Sequence, residues 1–524
     1  MVDWWRGATL YQIYPLSFCD SDGDGRGDLA GVTSRLDYIA SLGVDGIWLS
    51  PFFASPMKDF GYDVSDYTAV DPSFGTLADF DVLLARAHAL GLKVIIDQVW
   101  SHTSDRHAWF DASAASATND KAGWYVWADA KADGSPPNNW QAAFGGPSWT
   151  WSPRRRQYYF HNFLAEQPDL NYWAPPVQEA ILGVARFWLD RGVDGFRLDV
   201  VNYLFHDPSL ADNPVNPERT AATSPSRMQT HRHDRNRPQT LEFLAKVRAL
   251  VDERPGRMTV GEVVDDPALP RQIEYVAGPR RLHTAYSFHF LAARQASPDL
   301  FRAAIAAWEA TDGWPSWSLG NHDAPRFATR LAGDDPRHVR VLMAALLCLP
   351  GTVFLYQGEE LGLPQAKVPF ERLADPFAIA SFTGGAGRDG ARTPMPWTND
   401  DRSAGFSSAT ETWLPLDPRH RAMAVAAQDA DPASMLAFTR RAVALRASEP
   451  ALRLGKAEVA ASADNLLIFE RRLAGERRLC VFELEGQETR LAAAGALVFQ
   501  VQGDERLEAG KLVLPPFGGA VIAL

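Results

Sequence analysis

Short apolar runs of strand length alternate, along most of this chain, with longer stretches in which apolar positions recur every third or fourth residue. The runs lie at Thr9 to Pro15, Gly43 to Pro51, Gly91 to Val99, Gly192 to Asn202, Arg257 to Val264, Ala285 to Phe290, Trp314 to Asp323 and Thr352 to Gln357. Continuous apolar character marks strands buried on both faces, as parallel strands are. Intervening stretches such as Leu77 to Leu90, Pro176 to Asp190 and Thr240 to Asp252 carry one apolar stripe and suit helices packed outside a sheet. This alternation predicts an α/β fold, a (β/α)8 TIM barrel. Two strand openings, Gly43-Val-Asp-Gly-Ile-Trp and Gly192-Val-Asp-Gly-Phe-Arg, place Gly where a preceding helix ends and needs a left-handed cap.

The pattern is interrupted twice and then changes. Ser101 to Pro175 is too long for an ordinary barrel loop and rich in Trp, Tyr, Asn and Pro, which predicts an inserted subdomain overhanging the barrel mouth. His206 to Arg237 has little periodicity and reads as an irregular loop at the entrance. Beyond the helix ending near Arg446, Glu458 to Ala460, Asn465 to Arg472, Arg478 to Glu485, Ala496 to Gln502 and Lys511 to Leu514 read as short antiparallel strands. The expected organisation is a barrel from residues 1–101 and 176–450, a subdomain from 102–175 and a C-terminal β-sandwich from 451–524.

Composition narrows the function. At 524 residues the chain is long enough for a barrel with additions, and 46% hydrophobic with 22% charged residues is a globular balance. A net charge of -12 with scattered Lys and Arg excludes a nucleic-acid surface. No apolar stretch is long enough to cross a membrane, and no signal peptide is visible, so a cytoplasmic protein is expected. Cys19, Cys348 and Cys480 are too few and too scattered for a disulfide framework or a thiolate metal site.

Charged residues inside the apolar runs carry the chemistry. Arg197 and Asp199 sit within one buried strand, where an unpaired charge would be costly. Asp97 and His102 follow the third run, Glu262 ends the fifth, and His322-Asp323 ends the seventh. A single strand-end Asp is more often a helix cap, but in a barrel all these ends meet at one face. Several acids with one Arg and two His suit glycosidic bond cleavage, which needs an ionised carboxylate and a protonated one. Arg197 beside Asp199 favours the ionised form there, hence the nucleophile; Glu262, near other carboxylates, suits the acid and then the base. Asp323, His102 and His322 would bind sugar hydroxyls. In Asp20-Ser-Asp-Gly-Asp24-Gly-Arg-Gly-Asp28, oxygen donors alternate with turn residues, which fits a hard cation, Ca²⁺ or Mg²⁺, in a structural role. The expected ligands are Asp20, Asp22, Asp24, Asp28 and the carbonyl of Arg26.

These segments, in this order, resemble the motifs of the α-amylase superfamily, glycoside hydrolase family 13. Asp97 to His102, Gly195 to Asn202, Glu262 and Asn321 to Asp323 match, and Gln167-Pro-Asp-Leu-Asn171 resembles the fifth motif of the α-glucosidase and oligo-1,6-glucosidase subgroup. The resemblance implies Asp199 as nucleophile, Glu262 as acid/base and Asp323 as transition-state stabiliser. It also implies the barrel, the subdomain, the C-terminal β-domain and a Ca²⁺ loop at Asp20 to Asp28. Lys58 to Asp63 and Arg388 to Trp397 resemble the subgroup's pocket-closing segments, with Asp59 and Arg392 at the matching positions; these two are expected to pair and so block extension of the substrate. Tyr62 would stack on the sugar, and Asp97 and Arg197 would complete its binding site.

Ser101 stands where relatives usually have Asn. Val200 after the nucleophile resembles oligo-1,6-glucosidases, whereas the His206-Asp-Pro-Ser-Leu insertion resembles α-glucosidases that transfer glucose to alcohols. The expectation is a retaining, exo-acting α-glucosidase on short α-glucosides of the maltose or sucrose type, needing no organic cofactor, as monomer or homodimer. An oligo-1,6-glucosidase is the alternative. A non-catalytic partner of the transporter heavy-subunit type is disfavoured, because the three acids are present and a membrane span is not.

Overall fold

The structure, a computed structural model, describes residues 3–220, 225–265, 267–381, 387–399, 402–460 and 463–524. Its centre is an eight-stranded parallel sheet: β1 (Thr9–Ile13), β2 (Gly46–Leu49), β3 (Lys93–Gln98), β4 (Gly195–Leu198), β5 (Met258–Val263), β6 (Thr284–Ser287), β7 (Ser316–Trp317) and β8 (Thr352–Tyr356). Their spatial order is β6-β5-β4-β3-β2-β1-β8-β7, and a parallel bridge from Ala285 to Pro315 joins the two edges into a barrel. All eight apolar runs overlap one of these strands.

Each strand is shorter than its run, and two stop well before the run does. β7 ends at Trp317, and the chain on to Asp323 is irregular because Asn321 Oδ1 accepts the N–H groups of Asp323 and Ala324 at 2.9 and 3.0 Å. That side chain takes the donors a ladder would use and makes a turn. β6 gives way after Ser287 to a helical turn, Phe288–Leu291.

Local sequence accounts for the outer helices. Thr76 and Asp79 form a reciprocal capping box at the start of Leu77–Ala89. Two prolines open Pro175–Arg191, and Gly192 closes it at φ 106. The Asp194 carboxylate then binds Lys93, Arg257 and His88, tying the lower ends of β3, β4 and β5 together.

The first insertion contains the helix Ala108–Ala115 and a three-stranded sheet, with Val126, Trp140, Trp149 and Phe160 as a small core of its own. The second is irregular where described, apart from a helical turn at Pro225–Met228. The two are stitched together: Trp140 Nε1 donates to Ala211 O at 2.9 Å and Asn138 Nδ2 to Leu210 O at 3.1 Å.

At the C-terminus, a five-stranded antiparallel sheet (Lys456–Val459, Leu466–Leu473, Glu476–Glu483, Gly519–Ala523, Ala496–Gln500) packs against a three-stranded one, with Leu466, Ile468, Val481, Leu512, Leu514 and Ile522 in a shared apolar cluster. Three strands here, Thr489–Ala492, Arg506–Glu508 and Gly519–Ala523, escape the sequence pattern. The first two are short and mostly polar. The third opens with glycine because a Cβ on Gly519 would lie 2.6 Å from the Phe482 ring. Among the described residues, no helix is long and apolar enough to cross a membrane.

Candidate active site

β3 and β4 are neighbours, with Asp97 opposite Arg197, and β5 flanks β4 on its other side. Arg197 is fully buried and is the hub of the site. Its Nη1 donates to Asp97 at 2.8 Å and to Asp199 at 2.6 Å, and its Nη2 lies 2.7 Å from Glu262. Trp48 Nε1 and Tyr62 Oη also donate to Asp97, at 3.2 and 3.1 Å. Val200 N–H donates to Glu262 Oε2 at 3.2 Å. Val200 holds φ 33, a left-handed conformation that a β-branched residue rarely adopts, so strain sits immediately after Asp199.

One guanidinium therefore faces three carboxyls, Asp199 among them. Three full negative charges around one cation, out of water, would be strongly repulsive. Burial pushes the Asp97 and Asp199 carboxyls up against the pull of Arg197, and pushes Glu262 up to about 7. The site thus retains a proton near neutrality, shared by groups that titrate together.

Asp323 is the opposite case. Burial alone would raise its carboxyl, but its neighbours outweigh that and hold it well below the usual range. Arg392 Nη2 lies 2.7 Å and Arg388 Nη1 3.3 Å from its Oδ1. His322, 3.3 Å away, is itself pushed down to about 3 by burial, so the two arginines rather than the imidazole keep Asp323 ionised. Tyr62 stacks on His322 at 5.1 Å and 5° between planes, and His322 Nδ1 lies 2.8 Å from Gln12 Nε2.

The expected pairing of Asp59 with Arg392 does not occur. Asp59 pairs with Arg388, at 2.7 Å, while Arg392 donates to Asp323 and to the carbonyl of His322 at 2.8 Å. The helical turn Asp389–Arg392 puts the two arginines one turn apart. The deeper one reaches the floor of the site and the outer one its rim, where Arg388 also contacts Asp375 at 2.8 Å and lies over the Phe144 ring.

His102 is buried, with Nδ1 at 2.9 Å from Ser101 Oγ and Nε2 at 3.0 Å from Tyr62 O; burial pushes it down to about 4. Gln167 Nε2 donates to Asp59 at 3.1 Å, so the subdomain touches the pocket rim.

In the acidic turn, Asp20, Asp22 and Asp28 bring carboxylate oxygens within 4.8 Å of one another. Asp24 is not in that group; its Oδ1 accepts Arg26 N–H at 2.7 Å.

Arg388, Trp48 and Tyr286 are among the residues that contact this constellation without being marked as site residues by the sequence. Arg388 was visible as the first Arg of its segment, but spacing alone did not say which of the two reaches Asp59. Trp48 and Tyr286 lie within apolar runs, where nothing distinguishes an aromatic that donates into a site from one that fills a core.

A family model described as the α-amylase catalytic domain matches residues 12–455. A probable α-glucosidase of Rhizobium meliloti is 51% identical over 497 residues, covering 93% of this chain and 90% of that protein. An oligo-1,6-glucosidase of Parageobacillus thermoglucosidasius is 34% identical, covering 93% and 91%. The crystal structure of an α-glucosyl transfer enzyme, XgtA, superposes with a TM-score of 0.95 at 49% identity over 100% of both chains.

Proposed function

This chain belongs to the α-amylase family and is an α-glucosidase-type glycoside hydrolase, and on that premise we propose that it removes single terminal glucose units from short α-glucosides with retention of configuration. The observation that carries the proposal is the pair Asp199 and Glu262, held on adjacent nitrogens of Arg197. That sharing brings both carboxyls to one cation, as the closely spaced pair of a retaining enzyme requires.

In the first step the Asp199 carboxylate attacks the anomeric carbon, the glycosidic C–O bond breaks, and the Glu262 proton passes to the leaving oxygen. In the second, Glu262 takes a proton from water or an alcohol, whose oxygen displaces Asp199 from the same carbon. Water gives hydrolysis and an alcohol gives transglucosylation. Asp323, ionised and fixed by two arginines, would bind ring hydroxyls and favour the positively charged transition state. Tyr62, Asp97, His102, Arg197 and His322 shape the pocket around that sugar.

Exo-action follows from the wall. The Asp59–Arg388 bridge would hold the outer hydroxyls of the terminal unit and leave no room for another sugar. Val200 favours a second reading on linkage, oligo-1,6-glucosidase activity, and the choice is decided by rate.

The acidic turn fits a hard cation by its donor set, three carboxylates offering oxygens at close quarters. Asp20, Asp22 and Asp28 would hold Ca²⁺ there, remote in role from the reaction. The division into barrel (1–101 and 176–450), subdomain (102–175) and C-terminal β-domain (451–524), and a cytoplasmic location with free, buried cysteines, complete the proposal.

Asp199→Asn and Glu262→Gln are each expected to lower turnover of a disaccharide α-glucoside by about 10³-fold or more. Near-normal turnover in either variant removes that assignment. Initial rates on maltose, isomaltose and sucrose under one condition then order the linkages, and the first-formed anomer of glucose, read by NMR, tests retention.

A further inference from the structure

Arg197 presents two of its nitrogens to a single phenol. Nε and Nη2 donate to Tyr286 Oη at 3.1 and 2.8 Å. A phenolic oxygen has lone pairs to receive and one hydrogen to give. With the guanidinium supplying two hydrogens from one side, the phenol's own hydrogen goes to Glu262 Oε1 at 3.1 Å, its one acceptor among the described residues. The other carboxyl oxygen, Oε2, meets Val200 N–H at 3.2 Å and Arg197 Nη2 at 2.7 Å. Both oxygens of Glu262 are thus held by donors, but unequally: Oε2 faces a cation and a backbone N–H, and Oε1, among the described residues, a phenol.

The phenol cannot turn away. Tyr286 is buried, with its ring against Trp48 at 6.1 Å and Phe354 at 6.0 Å inside the barrel. Burial raises its hydroxyl well above its ordinary value, against the pull of Arg197, so it remains O–H throughout.

We propose that Tyr286 is a positioning residue for the acid/base step: it fixes the plane of the Glu262 carboxyl, leaves Oε1 as the oxygen that carries the transferable proton, and stabilises the carboxylate once that proton has gone to the leaving oxygen. The Tyr286 hydrogen itself does not transfer. The inference rests on the assignment of Glu262 as acid/base, and it adds a residue that no barrel-end motif in the sequence marks.

The test is Tyr286→Phe, which keeps the ring and its packing and removes only the hydroxyl. Without that donor the Glu262 carboxylate is less stable and its proton is held more tightly. The basic limb of the kcat/KM against pH profile is therefore expected to move up by about one unit. Misplaced acid catalysis also costs most where the leaving group needs a proton. The loss of kcat/KM on maltose is expected to exceed the loss on 4-nitrophenyl α-glucoside by about tenfold or more. An unmoved basic limb with equal losses on the two substrates overturns the proposal, because general destabilisation lowers both rates alike. Fluorotyrosine placed at 286 provides a test that preserves shape: as the stronger donor it should move the basic limb down, and an upward or absent shift counts against the idea. Glu262→Gln run alongside separates the two failures. If that variant stays active, the assignment of Glu262 falls; if it is inactive while Tyr286→Phe leaves the limb in place, only the role of Tyr286 falls.

Discussion

Arg388 and Arg392 show how little a residue's type settles and how much its reach does. Both are buried and both touch Asp323, yet only Arg388 also contacts Asp59 and Asp375. Arg388→Ala removes the cation that joins Asp59 and Asp375 to Asp323 and opens the wall they form. The expected outcome is a KM for maltose raised about tenfold or more, and release of maltose as well as glucose from maltotetraose. Product analysis by chromatography checks it, and glucose as sole product from the longer substrate would show that the bridge does not set the length limit. Arg388→Lys should fall between, since a point charge cannot span carboxylates as the planar fork does. The catalytic acids were legible one by one, because each ends an apolar strand where charge is costly. The choice between two arginines one helical turn apart was not. It depends on which side chain lies deeper, a property of how the segment docks rather than of its order of residues.

Strands and helices were legible wherever burial imposes a period. They were lost where side chains replaced backbone pairing, as at Asn321, or where a strand is paired on both edges with glycine at its start, as at Gly519. The acidic turn shows the same contrast. Its composition was readable, but its attachment was not: Asp20 N–H donates to Phe406 O at 2.9 Å, and Trp413 N–H to Gly25 O at 3.1 Å. A cation there would stabilise a junction between segments almost the whole barrel apart in sequence. Saturating Ca²⁺ is expected to stabilise the folded chain by about 2 to 3 kcal/mol at a hundredfold excess over Kd. That is an upward shift of a few degrees in the melting temperature, reversed by chelator and absent in Asp22→Asn. Asp24→Asn should retain the shift, because its carboxylate points to Arg26 instead of to the cluster. Equal loss in both variants would mean that the group is larger than three.

For the molecule as a whole, the seam between the barrel and the C-terminal sheets decides whether it behaves as one body. Two fully buried guanidiniums lie along it. Arg446 donates to Gly7 O at 3.1 Å, Leu347 O at 2.6 Å and Leu349 O at 2.9 Å; Arg471 donates to Cys348 O at 2.5 Å and Gly455 O at 2.8 Å. Among the described residues neither forms an ion pair, so the Arg446 charge is met by carbonyl dipoles of the barrel and the Arg471 charge by one carbonyl from each side of the joint. Those carbonyls end a barrel helix and a helix that leads into the sheet, so removing a guanidinium strands several acceptors at once. Arg446→Met is expected to lower stability by about 2 to 4 kcal/mol, against roughly 0.5 or less for the exposed Arg506→Ala, with kcat unchanged in both. The intact chain should unfold in one calorimetric transition, because a joint fastened by buried donors does not open before the cores on either side. A separate early transition that leaves α-glucosidase activity intact would show the C-terminal sheets to be an independent body, with the seam arginines stabilising the sheets alone.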